Sequence, residues 1–281
     1  MTRHADIFVD IPAHIASGRF IQDVSTNKHD IRDFTFSDVD LRGCKNILDL
    51  GCSYGFFTRG LAGRLHPDAH VTGVELWPRC EEYFLAACGD SGFSGQFVVS
   101  DKVFCKRFAD KSFDLVLCSY ALYFFPEAIA DIARVLRSDG LFVTVTHTVP
   151  HMQELVGIFK KLLVKHKGIP VQILPLEKLF AAFSNANGQK MLLPWFQEVR
   201  EKEYANALRI DEASLPSLIN YLCFKRPKFI PGEYKLDEQF IRSDVADNVR
   251  ELLTRQGALM ISKDDTVYIC QYPLVERSRE I

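Results

Sequence analysis

The twelve residues 47–58, Ile-Leu-Asp-Leu-Gly-Cys-Ser-Tyr-Gly-Phe-Phe-Thr, constrain the fold more than any other stretch of this chain. Four residues of buried-strand character run into a turn bounded by Gly51 and Gly55, and a helical pattern starts near Phe56. A strand, a tight turn and a helix start, in that order, belong to open α/β sheets. There the turn stands at the carboxyl end of a strand, where ligands bind. Gly51 and Gly55 allow a ligand to approach the backbone closely.

The alternation continues downstream. The helix after the turn is expected over 56–65, stopped by His66-Pro67. Residues 70–75 read as a second strand ending at Glu75, and 78–88 as a helix opened by Pro78 and closed by Gly89. A third strand over 96–100 ends at Asp101, and 112–119 forms a fourth. An amphipathic helix over 126–136 closes at Ser138-Asp-Gly140 before a fifth strand over 141–146. This pattern calls for an α/β fold with a doubly wound, mostly parallel sheet and helices on both faces.

Outside that region the pattern changes. Residues 1–45 are mixed, with a short helix over 8–20 interrupted near Pro12 and a polar stretch to 32, and read as a cap segment. The core occupies 46–147. Residues 148–195 look helical (152–165 and 176–184) and read as an inserted lid, with Phe159, Leu162, Leu163 and Phe180 among its apolar residues. Residues 196–281 return to the core sheet and close with a strand hairpin that turns at Lys263-Asp-Asp265.

Charge narrows the partners. Lys plus Arg is 34 against Asp plus Glu 36, a formal net charge of −2, so nothing favours nucleic acid or an anionic membrane. A small-molecule partner is expected, with oligomerisation left open. Eight cysteines are scattered without a C-x-x-C pair, which points to a reducing cytoplasm and to no metal site. The start of the chain lacks a basic and then apolar signal pattern, and the longest apolar segment, 115–126, is too short to span a bilayer.

Asp49, Glu75 and Asp101 fall at or near the ends of three successive strands, each with reason to face the crevice above the sheet. A carboxylate there can accept both hydroxyl hydrogens of a ribose or an amine hydrogen of a purine, which together describe an adenosine-shaped pocket. The turn lacks the G-x-G-x-x-G spacing that brings N–H groups onto a pyrophosphate, and the chain has no P-loop Gly-Lys-Ser/Thr, so phosphate cradling is disfavoured.

These residues resemble the class I S-adenosylmethionine-dependent methyltransferases, whose first motif, acidic-x-Gly-x-Gly-x-Gly, stands here as Asp49-Leu-Gly51-Cys-Ser53-Tyr-Gly55. The likeness continues through 108–114, Ser119-Tyr120 and 132–140. It implies a Rossmann-like, seven-stranded sheet with a helical lid, and S-adenosyl-L-methionine as cofactor. By the same resemblance Glu75 binds the ribose hydroxyls and Asp101 lies near the adenine amine. Cys52, Leu76, Lys102 and Ser119 line the rest of the cofactor site. The implied reaction is in-line transfer of a methyl group to a small, partly apolar organic acceptor. Methylation of a carrier-bound acyl group or of RNA, and non-catalytic cofactor or partner binding, are the alternatives. His147 and His151, just past the fifth strand, are candidates for a general base, and Tyr120 and Tyr123 for the acceptor wall. Ser53 replaces the motif's middle glycine, and Tyr123-Phe124 stands where many relatives carry His.

Overall fold

The apolar run before the glycine turn becomes strand β1 (Asn46–Leu50) in the computed structural model, which describes residues 6–100, 107–168 and 170–274. Ile47, Leu48 and Leu50 are fully buried, as a central strand covered on both faces requires. β1 pairs in parallel with β2 (His70–Glu75) on one side and β4 (Phe113–Ser119) on the other. The seven-stranded sheet runs β3 (Ser94–Val99), β2, β1, β4, β5 (Leu136–His147), β9 (Asp265–Pro273), β6 (Phe196–Tyr204). β9 is antiparallel to both its neighbours. This is the expected Rossmann-like, mostly parallel seven-stranded sheet. Strand order reverses between β1 and β4, so the crevice that open α/β sheets use for ligands lies above those two carboxyl ends. The β6 edge carries Glu198, Arg200, Glu201, Lys202 and Glu203, charges that discourage further strand pairing.

The chain divides into two units, and the division differs from the expected boundaries of 1–45, 46–147, 148–195 and 196–281. The sheet unit comprises His29–His147, Ala182–Tyr204 and Asp265–Ile281. The helical unit comprises Met1–Lys28, Thr148–Ala181 and Ala205–Asp264. Helices Ile11–Val24, Gln153–Lys167, Leu215–Phe229 and Ala246–Gln256 contribute apolar side chains to one core in the helical unit, with Phe159, Leu163, Leu218 and Val249 fully buried. The apolar stripe that suggested a lid facing an acceptor (Phe159, Leu162, Leu163, Phe180) is therefore spent on this core. A stripe of 148–195 cannot bury itself alone, so stretches distant in sequence join it.

Local differences have local causes. Pro12 does not interrupt the first helix; it sits in the opening turn of Ile11–Val24, where a missing N–H is harmless, and Asp10 caps the helix by accepting the Ala13 N–H at 3.0 Å. The helix after the glycine turn covers only Phe56–Arg59, because Gly60 and Gly63 oppose its propagation. The helix Glu81–Asp90 runs through Gly89 instead of stopping there. β5 begins at Leu136, five residues early, and takes up Arg137 to Gly140 as an irregularity between the Phe113↔Leu136 and Leu115↔Leu141 pairs. The expected C-terminal hairpin does not form. β8 (Leu259–Ser262) pairs with β7 (Ala207–Ile210) in the helical unit, whereas β9 joins the main sheet. No helix among the described residues is long and apolar enough to cross a membrane.

Candidate functional site

The turn after β1 is held in left-handed backbone at three places: Gly51 (φ 70°), Ser53 (φ 48°) and Gly55 (φ 75°). A Cβ on Gly51 would meet the Ala121 Cβ at 2.5 Å, and one on Gly55 would meet the Ala87 Cβ at the same distance. These two glycines are thus required by packing as well as by φ. Ser53, which stands where the motif has its middle glycine, holds a left-handed backbone at the expense of strain.

The N–H groups of the turn are directed inward. Gly51 and Cys52 donate to the Val74 carbonyl at 2.9 and 3.3 Å, Gly55 donates to Cys52 O at 2.9 Å, and Ser53 donates to Glu75 Oε2 at 3.1 Å. A pyrophosphate would find these donors already engaged, which agrees with the spacing argument from sequence. Glu75 Oε1 accepts the Leu76 N–H at 2.7 Å. Each oxygen of the half-buried Glu75 carboxylate thus takes one backbone donor from these two residues and keeps acceptor capacity for a hydroxyl. Burial raises its pKa, opposed by these backbone bonds.

Asp49 is buried. Its carboxylate is only 2% exposed and accepts the Thr58 hydroxyl at 2.6 Å, which ties β1 to the helix Phe56–Arg59. Burial, with a smaller contribution from the Glu75 charge, lifts its pKa to about 7 against the opposing Thr58 bond. Cys52 is buried in the same turn, and burial pushes its thiol well above the ordinary range. Ser119 closes β4 beside this turn, and its buried hydroxyl has no hydrogen-bond partner among the described residues. Asp101 and Lys102, expected at the adenine end, lie outside the described residues.

A second cluster lies at the ends of β4 and β5 in the same unit. Tyr120, left-handed at φ 54°, donates its hydroxyl to Asp265 Oδ2 at 2.8 Å. His147 Nδ1 lies 2.7 Å from Asp265 Oδ1, and the two residues are paired across β5 and β9. The imidazole stacks on Tyr120 at 4.9 Å between centroids and on Tyr123 at 5.9 Å. An ionised carboxylate only accepts, so Asp265 fixes the proton on Nδ1 and leaves Nε2 as the basic nitrogen. Burial, and then the Asp265 charge, hold the Tyr120 hydroxyl well above its ordinary pKa. His151 belongs to the helical unit, where it is buried with its ring edge-on to Phe180 at 4.9 Å. In the sequence Asp265 belongs to a Lys-Asp-Asp run that predicts a hairpin turn, which hides its place opposite His147. The available signal was a carboxylate opening the last strand of the sheet.

Comparison with known proteins bears on the domain type and the fold. A family model described as a methyltransferase domain matches residues 48–144. An uncharacterized methyltransferase of Schizosaccharomyces pombe is 25% identical over 134 residues, covering 45% of this chain and 49% of that protein. The match thus spans about half the length of that relative. YcgJ of Bacillus subtilis, another uncharacterized methyltransferase, is 44% identical over 46 residues, 15% of this chain and 18% of its own. Among solved structures, a Bacillus halodurans protein assigned as a methyltransferase superposes with a TM-score of 0.53 at 14% identity, over 86% of this chain and 99% of that one. A Haemonchus contortus phosphoethanolamine N-methyltransferase 2, solved with S-adenosyl-L-methionine, gives 0.55 at 11% identity, over 98% of this chain and 61% of that one. At these identities the structural likeness concerns the fold.

Proposed function

We propose, from the premise that residues 48–144 are a class I methyltransferase domain, that this protein binds S-adenosyl-L-methionine above β1, β2 and β4 and methylates a small organic acceptor. The observation that carries the reading is the anchored Glu75 carboxylate beside a turn of three left-handed residues. A carboxylate fixed by backbone donors, with acceptor lone pairs to spare, fits a vicinal diol, and engaged turn N–H groups suit a nucleoside without a pyrophosphate. Gly51 and Gly55 would admit the ligand to the backbone, Cys52, Ser53 and Leu76 would line it, and the Ser119 hydroxyl would gain a partner from it. When bound, the cofactor supplies a methyl group on a sulfonium, open to in-line displacement by the acceptor's lone pair.

The residues at the ends of β4 and β5 prepare the acceptor. Tyr120 and Tyr123 stack on the His147 ring and give the acceptor wall an apolar character. His147 Nε2 takes the proton that a hydroxyl acceptor releases, and Asp265 keeps the ring in the tautomer that can do so. A net charge of −2 gives no electrostatic support for an RNA acceptor. Free thiols at Cys44, Cys52, Cys80, Cys88, Cys118, Cys223 and Cys270 support a reducing, cytoplasmic setting.

The test is transfer of a tritiated methyl group from the cofactor to mixtures of small aromatic and carboxylic acceptors, acylated carrier protein and tRNA, assayed in parallel. Label in the small-molecule fraction is expected. Label confined to carrier or RNA overturns the acceptor assignment, and cofactor binding without transfer to any class favours a non-catalytic role.

A further inference from the structure

The helix Leu215–Phe229 of the helical unit carries two lysines that methyl transfer does not use. Lys225 and Lys228 are three residues apart, a spacing that puts both on one face, and each is only 8% exposed. Their ammonium groups converge on one aromatic ring. Lys225 Nζ lies 5.4 Å from the centroid of Phe8 and 4.6 Å from that of Phe224, and Lys228 Nζ lies 5.6 Å from Phe8. The imidazole of His14, on the helix Ile11–Val24, packs against the same two phenylalanines, at 5.0 Å from Phe8 and 6.2 Å from Phe224. Lys263, just past β8, is 6% exposed, and its charge acts on Lys228.

Lys225 and Lys228 are two buried positive charges side by side. Neither Lys225 nor Lys228 has a carboxylate partner among the described residues; their neighbours are ring faces and other cations. Ring faces attract an ammonium but do not neutralise it, and burial of an uncompensated charge is costly. Burial, followed by the Lys263 charge, draws the Lys228 pKa down to about 8, and burial followed by the two lysine charges holds His14 well below its ordinary value. Lys228 also lies in the last helical turn, where the carbonyl ends favour a cation, but that weak field does not account for two.

We propose that Lys225 and Lys228, backed by Lys263, form a binding site for a doubly charged oxyanion of the phosphate monoester class. Such an anion supplies two negative charges beside Lys225 and Lys228, where the described residues offer neither lysine a carboxylate. It accepts hydrogen bonds from two ammonium groups, and Phe8 and Phe224 flank it with apolar surface. The site lies wholly within the helical unit and is independent of the methyltransferase reading.

Inorganic phosphate is the probe, titrated into the full-length protein by calorimetry and thermal melting at constant ionic strength, with acetate as the singly charged comparison. Phosphate should bind and raise the melting temperature, and acetate should do so at least about tenfold more weakly. Lys225→Met and Lys228→Met, which nearly keep volume, should each abolish the phosphate effect while melting at or above the wild-type temperature without phosphate. In the wild-type protein, phosphate should also protect both lysines from an amine-modifying reagent, read by peptide mass mapping, a measurement that does not depend on the variants folding. Absence of binding and protection, phosphate binding that persists in both variants, or equal binding of acetate would each overturn the proposal.

Discussion

Asp49→Asn should make the protein more stable above neutral pH and progressively less so toward acid. The folded-state pKa of Asp49 is about 7 against an ordinary 3.8, principally because the carboxylate is buried. A carboxyl group whose pKa is raised by folding gives its full contribution below its unfolded pKa and loses it as pH rises through the folded one. Each pKa unit is worth about 1.4 kcal/mol, so keeping the ionised group in place at pH 8 costs on the order of 4 kcal/mol. Asparagine removes that cost and still accepts the Thr58 hydroxyl, but its amide brings donors that need partners, an offset of about 1 to 2 kcal/mol. The net gain at pH 8 should be about 2 to 3 kcal/mol. Urea unfolding of both proteins from pH 4 to 8.5 measures it as a difference curve, in which groups common to both cancel. The variant's advantage should grow with pH through the window from about 4 to 7. A flat difference, or a variant that loses stability as pH rises, would refute the burial argument.

Three further outcomes probe the turn and the aromatic cluster. Gly51→Ala should destabilise by about 2 to 4 kcal/mol in denaturant melts, because the new methyl meets Ala121 at 2.5 Å in a left-handed backbone; a loss below about 0.5 kcal/mol would show that the turn yields. Ser53→Gly should stabilise by roughly 0.5 to 1 kcal/mol through relief of its positive φ, and destabilisation would mean that the serine hydroxyl matters more than the backbone. Asp265→Asn should lower kcat by about 100-fold or more and displace the acid limb of the pH–rate profile, with KM for the cofactor unchanged. An unaltered profile would remove His147 from the mechanism.

The sheet was legible because its signals are local. Each central strand is an apolar run that ends at a turn, and Glu75 closes β2 as its position implied. The helical unit was not, because its core joins Phe20, Phe159, Leu218 and Val249, residues from stretches that no single window of sequence connects. The outlook of a buried carboxylate was equally hidden. Asp49 and Glu75 both sit at strand ends, yet Thr58 claims one for the interior and the Ser53 and Leu76 N–H groups hold the other at the turn. Asp265 drew no attention because a Lys-Asp-Asp run reads as a turn, and only its β5 partner, His147, gives it a role.

Calorimetric titration with S-adenosyl-L-methionine and with its demethylated product tests the central claim most directly. The wild-type protein should bind both at one site per chain, and Glu75→Ala should weaken binding by about 1.5 to 3 kcal/mol, the worth of hydrogen bonds to a charged group. No measurable heat with either compound, for a wild-type protein shown to be folded, would contradict the assignment of the crevice above β1, β2 and β4.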